Sequence, residues 1–219
     1  MNKTRHAYLA LVALLLSPLA ANAGPIALDI EFEGQELFDG RNLTIGWEFS
    51  ITEELTVDAL GAWDQNADGL NSAQIVSIWT AAGALVGSVS VDNTATGVAP
   101  GFATNTSGQW LQQDVADFVL GVGDYVIGAQ RFGGSGDAFQ GVDTVVHTDL
   151  PRVEYTGGRF LEGFGFPTLE IAADPGAAWV FGPTFWAADD TGVVPEPGTL
   201  ALFGLGLVAI GFAKRRKKI

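Results

Sequence analysis

Between Leu43 and Ile51 the chain alternates strictly: Leu43, Ile45, Trp47, Phe49 and Ile51 are apolar, and Thr44, Gly46, Glu48 and Ser50 stand between them. A period of two puts successive side chains on opposite faces of an extended strand, one buried and one wet. Shorter β-like runs follow at 55–63, 74–80, 84–91, 115–120, 125–130, 142–148 and 179–186, separated by Gly, Asp and Asn. Ala81-Ala82-Gly83 between two of them reads as a tight hairpin. These runs, without long amphipathic helical stretches, predict an all-β fold: an antiparallel β-sandwich, jelly-roll-like. Residues 24–41 read as a strand-forming leader, and 187–192 as a polar spacer after the apolar pattern stops at Trp186.

The two ends follow a different pattern. Lys3 and Arg5 precede an uninterrupted apolar stretch from Ala7 to Leu16, and Ala21-Asn22-Ala23 offers small residues for cleavage before Gly24. That is the layout of a secretory signal peptide removed by signal peptidase, too short to span a membrane. At the other end Pro195-Glu196-Pro197 is followed by an uncharged run from Leu200 to Ala213 and then by Lys214, Arg215, Arg216, Lys217 and Lys218. The two prolines fix φ and remove two backbone donors, which keeps the segment open as an extended strand for a processing enzyme. As a helix the apolar run reaches about 21 Å. It spans the roughly 30 Å hydrocarbon core with the help of residues 197–199, local thinning and snorkelling of the basic cluster, which stays cytoplasmic. The expected organisation is a signal peptide over 1–23, a β-sandwich over 24–192, and a sorting segment with a single short C-terminal transmembrane helix over 193–219.

This tail resembles the PEP-CTERM sorting signal of Gram-negative bacteria, also catalogued as the C-terminal domain of certain ice-binding proteins. The resemblance implies cleavage by an exosortase, a membrane-embedded transpeptidase-like enzyme. The precursor is then held at the inner membrane and the mature form passed to the cell surface or the extracellular polysaccharide. In that relationship Pro195, Glu196 and Pro197 are substrate residues, and Lys214 to Lys218 are the anchor. From Gly46 to Gln130 the order of features is also similar to a β-sandwich domain of bacterial surface proteins, through Gly46-Trp47-Glu48-Phe49, Val57 to Trp63, Ile78-Trp79 with Gly83 to Val86, Gly108-Gln109-Trp110 and Gly123-Asp124-Tyr125-Val126. That likeness implies a fold and an extracellular setting.

Removing both ends sharpens the charge. From 24 to 197 the basic residues are Arg41, Arg131, Arg152 and Arg159, set against all 25 acidic residues, a formal charge of −21 without a lysine. Such a body repels nucleic acid and anionic membranes and tolerates divalent cations, neutral glycans and water. The chain has no cysteine, so a hydrophobic core rather than disulfides must hold the exported domain.

Candidate chemistry is sparse. Asp64, Asn66 and Asp68 alternate ahead of Gly69, matching the first half of a calcium loop. The twelfth position is Ile75 where a bidentate Glu belongs, so calcium would need a further carboxylate from Asp137, Asp143 or Asp149. The competing reading is a hairpin whose side chains cap their own backbone. Trp47 falls on the buried face of its strand, whereas Trp63 and Trp110 lie beside loops and are the candidates for stacking on a sugar, set against the competing and favoured reading that both pack in the core. His147 is the sole histidine after export, and Gly133-Gly134-Ser135-Gly136-Asp137 misses the nucleophile-elbow pattern at its last position, so no enzyme is expected. The alternatives are a carbohydrate-active hydrolase built on paired carboxylates and an ice-binding protein. The latter is disfavoured because Thr94-Ala95-Thr96 and Thr104-Asn105-Thr106 form no fixed-period array. The expected role is a structural or glycan-binding component of the extracellular matrix.

Overall fold

The computed structural model describes residues 24–32, 36–37, 40–101, 108–133, 139–140, 145–171 and 182–188. The signal and sorting segments, with the expected transmembrane helix, lie outside these residues. Among the described residues no helix is long and apolar enough to cross a membrane.

The described chain is almost entirely strand: β1 Asp29–Phe32, β2 Glu36–Leu37, β3 Leu43–Ile51, β4 Leu55–Asp64, β5 Gln74–Thr80, β6 Leu85–Val91, β7 Thr96–Val98, β8 Gln109–Leu120, β9 Gly123–Arg131, β10 Phe139–Gln140, β11 Val145–His147, β12 Val153–Glu162, β13 Leu169–Ile171 and β14 Pro183–Ala187. All pairs are antiparallel. Six strands form one sheet in the order β13-β12-β3-β9-β5-β6, and four form another in the order β14-β4-β8-β7. The short pairs β1-β11 and β10-β2 stand apart. The chain changes sheet between β3 and β4, β4 and β5, β6 and β7, and β8 and β9, the alternation between layers expected of a jelly-roll-like sandwich.

The alternation of β3 gives the expected buried face but not a wet one: Thr44 and Gly46 are buried too, Glu48 and Ser50 are half-buried, and Thr44 Oγ1 donates to Gly163 O and accepts from Gly165 N of the loop that covers it. Leu43, Ile45, Trp47, Phe49 and Ile51 are all buried, and the strand pairs with β9 without a slip from Leu43↔Arg131 to Ile51↔Gly123. The opposing sheet meets this face through aromatic rings. Phe185 of β14 stacks on Trp47 at 6.0 Å with an 11° interplanar angle and lies 5.2 Å from Phe49. Trp47 Nε1 donates to Pro183 O at 2.8 Å, which satisfies the indole inside the core.

In β4 the register against β8 slips between Val57 and Ala59. Before the slip Leu55 and Val57 join the central core; after it Leu60 and Ala62 do, while Ala59 and Trp63 join a second cluster on the opposite side of the sheet. This parity change lets a strand with an unbroken apolar stretch bury both faces. The expected hairpin at 81–83 is present: Gly83 takes φ +85° and its N–H donates to Thr80 O at 2.8 Å.

β12 is a long strand where no β-like run was expected. β12 lies against the full length of β3, from Val153↔Ile51 to Glu162↔Leu43, with a bulge between Tyr155 and Gly157. The run at 115–120 also starts earlier than expected, at Gln109.

Candidate functional site

Trp63, Trp110 and Trp186 sit on the outer side of the four-stranded sheet with Ile26, Ile30 and Ala59 as a compact second cluster. Space for the rings comes from glycine. A Cβ on Gly61 would stand 2.5 Å from Trp186 Cζ3, and one on Gly108 would overlap Trp63 Cζ2. Trp63 and Trp110 meet edge to face at 5.0 Å and 71°. Above them runs the segment that follows the predicted cleavage point. Ala27 N donates to Phe185 O at 2.8 Å, Ala187 N donates to Pro25 O at 3.2 Å, and Thr184 Oγ1 donates to Leu28 O at 2.7 Å, so residues 25–28 extend the edge at β14.

The expectation that Trp63 and Trp110 present sugar-stacking faces is therefore corrected. They are 1% and 0% exposed, and their N–H groups are engaged inside the protein, Trp63 with Gln65 Oε1 and Trp110 with Asp29 Oδ1, both at 2.8 Å. They lie on the outer face of their sheet, and burial there is the core packing that competed with the sugar-stacking reading. A further layer, contributed by Ile26, Asp29 and Ile30, covers that face, while Ala27 and Leu28 between them join the central core.

Asp29 is the polar centre of this layer. It is 1% exposed, and its carboxylate accepts from Trp110 Nε1, from Ile30 N at 2.9 Å and from Gly101 N at 2.7 Å. Beside it opens a cavity of about 190 Å³ lined by Gly24, Ile26, Asp29, Val98, Asp149 and Trp186, among others. Burial pushes the Asp149 carboxyl above its ordinary value, His147 pulls it down, and the neighbouring Asp29 pushes it up further. His147 Nε2 lies 3.7 Å from Asp149 Oδ1. Sequence reasoning missed Asp29; its signal was an Asp inside an otherwise apolar leader, Ile26 to Ile30.

In the loop after β4, Asp64 caps its own backbone. Both oxygens of the buried Asp64 carboxylate face Gly69 N, at 3.1 and 3.2 Å, and Oδ2 also accepts from Gln109 Nε2 at 2.9 Å. Asn66, at φ +66°, and Asp68 are exposed, so the alternate oxygens do not converge on one centre. Among the described residues no three acidic or imidazole side chains gather as a metal site. Asp137 and Asp143 lie outside the described residues, and Asp149 belongs to the cavity beside Asp29.

A third acidic feature lies at the register slip. Asp58 Oδ1 is buried without a hydrogen-bond partner among the described residues. Burial, then the charges of Asp117 and Asp114, hold its carboxyl above the ordinary value. The sorting residues Pro195, Glu196 and Pro197 and the basic anchor Lys214, Arg215, Arg216, Lys217 and Lys218 lie outside the described residues and are known here through sequence.

No curated protein and no solved structure matches this chain. Residues 193–217 match the family model of the PEP-CTERM protein-sorting motif, and the chain is thereby an exported protein with exosortase as its processing partner.

Proposed function

We propose that the protein is exported with loss of residues 1–23, held at the inner membrane by its C-terminal segment, and released by exosortase to the cell surface or extracellular matrix. There the acidic sandwich serves as a structural or glycan-binding component without catalysing a reaction. The single observation that carries this reading is the sorting motif at 193–217 joined to a cysteine-free β-sandwich. The non-catalytic part is supported by the state of Asp29. This carboxylate shares a cavity with Asp149, yet both its oxygens accept donors from the protein itself. Any glycan contact falls elsewhere than on Trp63 and Trp110.

The test is mass spectrometry of the native mature protein together with a glycan array and a hydrolysis assay. A C-terminus near 193–198 that reverts to the intact tail when exosortase is deleted supports the sorting route. Glycan binding without turnover supports the matrix role, and released sugar products would overturn it.

A further inference from the structure

The cavity beside Asp29 contains an unusual lining residue: Gly24, the first residue after the predicted cleavage point. Its backbone is tightly placed, because a Cβ there would collide with Ala187 O and the next residue's carbonyl accepts from Ala187 N. Two carboxylates, Asp29 and Asp149, line the same open cavity. Apart from these two and His147 beyond Asp149, no titratable side chain among the described residues belongs to this group.

We infer that the cavity is a receptor for the protein's own new N-terminus: the α-ammonium of Gly24, created by removal of residues 1–23, binds between Asp29 and Asp149. This rests on the export reading given above. The chemistry is complementary in kind. In the precursor the Gly24 nitrogen is a neutral amide, and the charge of Asp29 disfavours ionisation of Asp149 across the cavity. Hydrolysis of the 23–24 peptide bond supplies that cation at the cavity and releases the signal peptide with a carboxylate end. The mature body has no lysine between Gly24 and Pro197, so this group is the sole aliphatic ammonium in that stretch. Cleavage thereby completes the electrostatics of the tryptophan layer, since Asp29 also anchors Trp110.

The absence of lysine makes the experiment selective. The mature protein, purified from the cell envelope, is labelled by reductive ¹³C-methylation and the amine is titrated by NMR, with the mature N-terminus read by mass spectrometry. Any lysines left in an uncut tail titrate near 10.4 and are separable. The Gly24 amine is expected to titrate about one pH unit above the ordinary 7.7–8.0 of an α-amino group. Asp149→Asn, at a partly exposed side chain, should return it toward the ordinary value. An amine that titrates normally in the wild-type protein, or one that Asp149→Asn leaves unmoved, would overturn the docking while leaving export intact. A mature N-terminus other than Gly24 would overturn the cleavage assignment itself and the docking with it.

Discussion

The outer faces of the two sheets are built on opposite terms. That of the six-stranded sheet finishes itself with short and polar side chains. Ser77 and Ser88 bond across β5 and β6 at 2.8 Å, and Arg159 bonds Glu48 with its Nε at 2.9 Å and reaches Glu170 at 3.2 Å. Trp79 lies over Gly128 and is capped by Phe166 at 6.0 Å. The four-stranded sheet instead carries Trp63, Trp110 and Trp186 outward and depends on Ile26, Asp29 and Ile30 to close over them. One face is complete within the sheet and its neighbouring loop. The other is complete only with the segment that begins at Gly24, which makes that segment part of the core rather than a leader.

The sharpest way to break this contrast is to remove residues 24–30 from the mature protein. The loss strips the cover from three indoles, each worth on the order of a few kcal/mol of burial, and the domain should fail to fold. Tryptophan emission shifted to the red with loss of the cooperative urea transition is the expected readout, and a native-like melt would refute the layer's importance. Next in size, Trp110→Ala should cost about 3–5 kcal/mol in urea denaturation, because it leaves both a cavity and a buried Asp29 oxygen short of a donor. Trp79→Ala, on the self-finished face, should cost at least about 1 kcal/mol less, since no such partner is orphaned. Asp64→Ala should lower stability by about 1–3 kcal/mol through loss of the acceptor for Gly69 N and Gln109 Nε2, and added calcium should leave the melting temperature of the wild-type protein unchanged.

The smallest effect is expected at Asp58. Its folded carboxyl titrates above the ordinary value, so the ionised form disfavours the native state. That penalty is absent below the unfolded value and grows as pH rises through the folded one. Asp58→Asn should therefore be slightly the more stable protein at neutral pH, by less than about 1 kcal/mol given its partial exposure. The difference should vanish in acid. A constant gap across pH would mean that the amide acts by packing instead.

The period-two pattern of β3 revealed the centre of the sandwich because one face of that strand is uniformly apolar and meets Phe185. β12 was hidden for the converse reason. Thr156, Gly157 and Gly158 interrupt any alternation, and a bulge at Tyr155 changes its parity, so its identity as a strand is set by β3 across nine residues of pairing rather than by its own side chains. The site was legible only at its margins. The sorting motif is a linear signal and could be read directly. The Asp29–Trp110 bond joins positions 81 residues apart, and no local spacing announces it. Trp63 and Trp110 lie beside loops in the sequence yet are fully buried, because the layer that covers them comes from Ile26, Asp29 and Ile30, far away along the chain.

The edge-to-face Trp63–Trp110 pair gives the folded domain an optical signature of its own. Two indoles held 5.0 Å apart at 71° are coupled oscillators whose electronic transitions mix, so the native chain should show an exciton couplet in circular dichroism. Losing either ring, or the strap that fixes their mutual angle, should erase it, and the sealing of that layer can then be followed in real time without a label.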